Sequence, residues 1–203
     1  MRRIRIEDLL ASREEVAAFG ALLARGGIAG IPTETFYGLA ADPRSEVGVE
    51  RVLALKRREA AKPLLALFGA RRQLAPLGVV AAPELLDLFF AVWPAPLTVV
   101  LPLSAPISAS CGALSLGVRM PAHALLCDLL ARIGPVTGTS FNRAGEPPCS
   151  DPGAAVQLMP EEIDVFVDGG RTPGGLASTL LDATVDPPRV LREGAFPWPP
   201  ARR

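Results

Sequence analysis

Apolar runs in this chain never travel far before a proline or a glycine stops them. The sharpest case is Leu88 to Leu103, 16 residues that are almost all apolar but are broken by Pro94, Pro96 and Pro102. That run falls short of the ~20 residues a membrane span needs. It reads instead as the end of a buried helix, a Trp93-Pro94 turn and a core strand. The chain has 21 prolines and 19 glycines in 203 residues, about a fifth of the total, still below the roughly 25–30% of low-complexity sequence. Such punctuation admits only short elements joined by rigid turns. With 49% hydrophobic residues and 5% aromatics, the core between those turns is built mainly from Ala, Leu, Val and Ile. An ordered, soluble protein is expected.

Between the breaks, helical and strand-like segments interleave. Ser12-Arg13-Glu14-Glu15 has the form of a capping box, so a helix should begin near Arg13. Val16, Phe19, Leu22 and Leu23 recur on one of its faces, and Gly26-Gly27 ends it. Further helices are expected over Glu46–Lys56, Pro83–Phe90, Ala122–Arg132 and from Asp151-Pro152 to Leu158. Strands are expected in the run ending at Ile31 and over Leu64–Phe68, Leu97–Leu103, Leu116–Met120, Pro135–Ser140, Asp164–Val167, Ser178–Asp182 and Arg189–Leu191. The pattern predicts an α/β (α+β) fold, a twisted mixed parallel and antiparallel sheet with flanking helices. No repeat or linker interrupts it, so a single domain over residues 1–203 is expected.

Charge and cysteine usage narrow the function classes. Lys and Arg total 21, and so do Asp and Glu; a general nucleic-acid binder carries a strong basic excess instead. Cys111, Cys127 and Cys149 show no CxxC spacing, and His123 is the only histidine. Neither a disulfide framework nor a Cys/His metal site is expected, and a reducing, cytoplasmic compartment fits. His123 lies near a helix start and reads as structural or solvated. The N-terminus is basic, but Glu7 and Asp8 interrupt it before any apolar export segment forms.

Candidate chemistry lies in the loops. After the apolar run Gly27–Ile31, residues 32–39 form a hydroxyl-rich loop holding one carboxylate, Glu34, and one phenol, Tyr37. Loops placed by a rigid strand are where binding groups concentrate. Lys56, Arg58 and Lys62 set three cations within seven residues at the end of a predicted helix. They suit either the helix C-terminus or a triphosphate, with Arg bidentate and Lys a point charge. Ser140 and Asn142 flank Phe141, and strand alternation puts both on one face; an ordinary turn would look the same. Arg119, at a strand end, suits a substrate carboxylate. The glycine-rich stretch from Asp168 to Gly175 precedes Ser178-Thr179, and loop amides there can bind anions. Walker A, G-x-G-x-x-G, kinase and G-x-S-x-G signatures are all missing, and no carboxylate pair stands out. A nucleotide site would rest on hydroxyls, amides and cations in some other arrangement.

Taken in order, these segments resemble the YrdC/TsaC family, the threonylcarbamoyl-AMP synthases. The resemblance covers about residues 12–195. It includes Pro-Thr-Glu-Thr-x-Tyr-Gly-Leu at 32–39, Lys-x-Arg at 56–58, Lys-Pro-Leu at 62–64 and Trp-Pro-x-Pro-Leu-Thr at 93–98. Gly-Val-Arg-x-Pro at 117–121, Ser-x-Asn-x-x-Gly at 140–145, Asp-Gly-Gly at 168–170, Ser-Thr at 178–179 and Leu-Arg-x-Gly at 191–194 continue it. The family fold is a twisted mixed sheet around an open, positively lined cavity. Its chemistry joins L-threonine, bicarbonate (or CO2) and ATP into threonylcarbamoyl-AMP and pyrophosphate, for later transfer to tRNA by a separate complex.

Carried over by motif, the resemblance assigns Thr33, Arg119, Gly138 and Ser178 to threonine, with Arg119 on its carboxylate. It assigns Lys56, Arg58, Lys62, Ser115, Ser140, Asn142, Ser150 and Arg192 to ATP, with Lys56 and Arg58 as the catalytic cations and Mg²⁺ carried mainly by the phosphates. Ala177 stands where a glutamate is usual, Ala95 where a glycine is usual, and Leu67 where some longer members have a histidine. The additional C-terminal domain of longer members is not expected. Two other readings share the fold: a module that binds double-stranded RNA in ribosome maturation, and a paralogue with another acyl-adenylation substrate.

Overall fold

The computed structural model describes residues 1–57, 62–143, 145–159 and 161–199. Strand β1 (Arg2–Arg5) runs into α1 (Ile6–Ala11), and α2 (Arg13–Ala24) follows after Ser12. The Ser12 hydroxyl accepts from the Glu15 amide, as the capping-box spacing predicts. The reciprocal half of the box is replaced, because the Glu15 carboxylate pairs with Arg2 at 2.9 Å. Strands β2 (Ala29–Ile31) and β3 (Gly38–Ala40) bracket the hydroxyl-rich loop, and α3 (Glu46–Leu55) ends at Lys56.

Next come β4 (Ala66–Leu67), α4 (Pro83–Phe90), β5 (Leu97–Pro102), β6 (Ser115–Arg119) and α5 (Ala124–Ile133). Strands β7 (Val136–Thr137) and β8 (Thr139–Ser140), α6 (Pro152–Leu158), β9 (Val165–Asp168), β10 (Thr179–Asp182) and β11 (Arg189–Arg192) complete the order. Two caps are side chains visible in the sequence. Asp151 accepts from the Ala154 amide at the start of α6, and His123 Nδ1 accepts from the Leu126 amide at the start of α5. No helix among the described residues is long and apolar enough to cross a membrane.

The expected mixed sheet is two sheets. One has the order β1-β9-β2-β3-β8, the other β11-β10-β5-β6-β4-β7. Both mix parallel pairs, such as β2 with β9 and β10 with β5, with antiparallel ones, such as β2 with β3 and β5 with β6. The division falls inside the strand expected over 135–140. Val136 and Thr137 pair with β4, whereas Thr139 and Ser140 pair with β3. The chain crosses at Gly138, where a Cβ would come within 2.6 Å of Leu67 Cγ. Only a residue without a side chain fits so close to buried Leu67. Thr137 stitches the crossing from the other side, exchanging hydrogen bonds with Ala41 through its amide and its hydroxyl.

Two apolar clusters hold this frame. Helices α1, α2 and α5 bury Ile6, Leu9, Phe19, Leu126 and Leu130 against Ala29, Ile31 and Val167 of the first sheet. The larger cluster joins core residues of both sheets, such as Leu39, Phe166, Val99 and Val118, to α3, α4 and α6. Its aromatic part packs Trp93 edge-on against Phe68, with ring centres 5.2 Å apart, and near Phe89 at 5.7 Å. Each such ring pair adds about 0.5–1.5 kcal/mol beyond its buried area.

Candidate active site

Between the two sheets lies an open cavity of about 420 Å³. The first sheet contributes Gly38, Thr139 and Ser140 with the loop residues Thr33, Thr35 and Phe36, and the second contributes Thr98, Gly117, Arg119, Leu180 and Arg192. Six residues assigned by motif therefore meet in one place: Thr33, Arg119, Gly138, Ser140, Ser178 and Arg192. They come from loops and strand ends far apart in sequence, and the sheet pairing is what gathers them.

Arg119 is the chemically distinctive member. It is 6% exposed, yet among the described residues its guanidinium makes no hydrogen bond, and its one ion-pair partner is Glu34 Oε1 at 3.5 Å from Nη1. Burial pushes the Arg119 pKa down, Glu34 pulls it back up, and Arg192 adds to the depression. Arg192 donates to the Ser178 carbonyl at 2.8 Å. Among the described residues, Arg119 and Arg192 are the charged members of the lining, and none is a carboxylate. A wall of guanidiniums and hydroxyls favours an anion.

The hydroxyls are already oriented. Thr33 donates to the Phe36 carbonyl at 2.7 Å and accepts from the Thr35 amide at 3.2 Å, so the loop is folded around it. With that proton committed, the Thr35 hydroxyl is the donor in its 3.2 Å contact with the Thr33 oxygen. Ser178 shares a 2.9 Å hydrogen bond with Thr98. Thr98 lies in a quoted motif but carried no assigned role, because nothing in the spacing shows that β5 brings it beside β10. Tyr37, also in the lining, commits its phenol to a turn. It donates to the Gly170 carbonyl at 2.7 Å and accepts from the Gly169 amide at 3.1 Å, and burial raises its pKa.

The remaining assigned residues lie elsewhere. Lys56 is 7% exposed, and its ammonium reaches the Ser140 carbonyl, the Ser140 hydroxyl, the Asn142 carbonyl and Asn142 Oδ1 at 2.6–3.2 Å. Lys56 and Asn142 thus brace the Ser140 turn from behind the lining. Lys62, Ser115 and Ser150 do not line the cavity, although Pro63, next to Lys62, does. Arg58 lies outside the described residues. Of the positions that depart from the family pattern, Ala177 lines the cavity, while Leu67 and Ala95 are buried and do not.

Comparison with known proteins agrees with this geometry. The family model Sua5_yciO_yrdC, described as "Telomere recombination", matches residues 21–194. A Pyrococcus abyssi relative named threonylcarbamoyl-AMP synthase is 36% identical over 177 residues, which is 85% of this chain and 52% of that protein. The chain thus spans about half of that relative's length. A Mycobacterium tuberculosis relative, 31% identical over 185 residues, is covered more fully, at 90% of this chain and 85% of the relative. The crystal structure of P. abyssi Sua5 complexed with L-threonine superposes with a TM-score of 0.82 at 31% identity, over 97% of this chain and 57% of that one.

Proposed function

The chain belongs to the Sua5/YciO/YrdC family, and from that premise we propose that it forms threonylcarbamoyl-AMP and pyrophosphate from L-threonine, bicarbonate (or CO2) and ATP. The observation that carries the reading is Arg119, whose buried guanidinium makes no hydrogen bond among the described residues, in a cavity whose described lining has no carboxylate. It suits the carboxylate of an amino acid, with Thr33 and Ser178 as neighbouring hydroxyls. That a relative is known in complex with L-threonine supports the same ligand here.

In this reading the threonine amine loses a proton and bonds to the carbon of CO2, giving a carbamate. A carbamate oxygen then bonds to the α-phosphorus of ATP as the bond to pyrophosphate breaks. Arg192 and Ser140 face the phosphate side of the cavity, and Lys56 acts there by holding Ser140. The chain's part is positioning and charge neutralisation. Among the described residues the lining offers hydroxyls and guanidiniums but no carboxylate, which fits a Mg²⁺ held by the nucleotide's phosphates and waters rather than by the protein. Bound in that way, it would neutralise the phosphates.

Incubation with ATP, Mg²⁺, bicarbonate and single amino acids tests the reading. Threonine-dependent pyrophosphate release is expected, falling at least tenfold in Arg119→Ala, about 1.4 kcal/mol of transition-state stabilisation. Release indifferent to threonine would refute it. Salt-sensitive binding of double-stranded RNA with no release would favour the binding-module reading instead.

A further inference from the structure

Among the described residues, the buried side-chain polar atoms without a hydrogen-bond partner are Glu34 Oε1, Glu34 Oε2 and Arg119 Nε. All belong to one ion pair, in which the Arg119 side chain is 7% exposed and that of Glu34 is 9% exposed. Thr33 and Thr35 line the cavity and Glu34 between them does not, so the carboxylate lies behind the loop. Two groups nearby are turned to other partners. His123 Nδ1 caps α5, and the Cys127 thiol donates to the Pro121 carbonyl. At 3.5 Å the Glu34–Arg119 contact gives Coulomb attraction without a well-formed hydrogen bond.

A bidentate pair would have consumed the donors that a ligand needs. This pair compensates the buried cation and leaves its donors unspent. We propose that Glu34 is the built-in counter-charge of the Arg119 subsite. It keeps the guanidinium at the cavity wall, and its negative charge weakens the subsite's hold on bare anions. Occupancy then requires a ligand that adds contacts of its own, to Thr33 and Ser178. The assignment rests on Arg119 being the seat of the amino-acid carboxylate.

The test uses the full chain as wild type, Glu34→Gln, Arg119→Met and the double variant. Melting is followed with and without acetate, a bare carboxylate, and binding of acetate and L-threonine is measured by calorimetry. Glu34→Gln should melt several degrees below wild type, because it strands a buried charge, and acetate should restore more of the loss than it adds to wild type. Acetate should also bind it at least tenfold more tightly. The double variant should melt no lower than either single one, since no charge is left unpaired.

An unchanged melting point with an unchanged acetate response would overturn the proposal. So would weaker binding of acetate and threonine alike, which is the mark of an orienting contact. Should Glu34→Gln fail to fold, Arg119→Met and the double variant still decide: a double variant as stable as Arg119→Met supports the counter-charge, and one that is less stable refutes it. A wild type that does not bind L-threonine would remove the synthase reading, while the melting and acetate comparisons would still judge Glu34.

Discussion

Lys56 carries a charge that the fold has almost closed over, at 7% exposure. Its ammonium has three protons and faces four oxygens of Ser140 and Asn142, so the protons are shared among converging acceptors. Removing the charge strands those carbonyls. We expect Lys56→Met to lose at least tenfold in threonine-dependent pyrophosphate release and to melt lower as well, with Lys56→Arg no better, because a planar fork cannot meet the same cluster. A Lys56→Met protein that melts like wild type but is inactive would show that the ammonium serves only the ligand. The sequence made Lys56 visible as a cation of the right kind in the right motif. It could not show where the protons go, since the acceptors lie 84 and 86 positions away. Glu34 is a similar case: its carboxylate was legible in the loop, but its partner is set by where β6 ends.

At the scale of elements, caps and periodicity were the legible part. Ser12, Asp151 and the apolar face of α2 sit where local chemistry puts them. Strands β1 and β3 were not legible. Arg2–Arg5 is mostly exposed and polar, and Gly38–Ala40 is too short to show alternation. The expected strand over 135–140 hid a change of sheet, because Gly138 matters through what it approaches rather than through its own propensity. The segment after β11 adds a similar close approach. Gly194 crosses the backbone at 177–179 so tightly that a Cβ would meet the Ala177 carbonyl oxygen at 2.3 Å. Beyond it, Ala195 donates to the Ala177 carbonyl, and Trp198 packs near Phe89 with ring centres 5.8 Å apart. This strap holds the backbone that carries Ser178. We expect Gly194→Ala to cost about 1–3 kcal/mol through backbone overpacking, and to raise the KM for threonine more than that for ATP. A melting curve and KM values equal to wild type would sink the idea that the strap sets Ser178.

For the whole molecule, the balance of 21 basic against 21 acidic residues conceals a local asymmetry. Asp168 pairs with Arg3 and Asp164 with Arg51 away from the cavity lining, whereas the charges lining the cavity among the described residues are Arg119 and Arg192. The two sheets supply opposite walls, with Thr33 and Ser140 on one side and Ser178 and Arg119 on the other, so a ligand that fills the space ties one sheet to the other. Binding to the folded state alone, at about 100 times the Kd, adds ~2.7 kcal/mol, enough to slow exchange through openings that expel the ligand by roughly 100-fold. Hydrogen–deuterium exchange with ATP and threonine together should therefore protect the loop at 33–38 and the segment at 178–181 at once. The outer helix α2, remote from the cavity, should change only as far as global stability does. Protection confined to one wall would mean that the ligand rests on a single sheet, and that the shared cavity is not where the substrates meet.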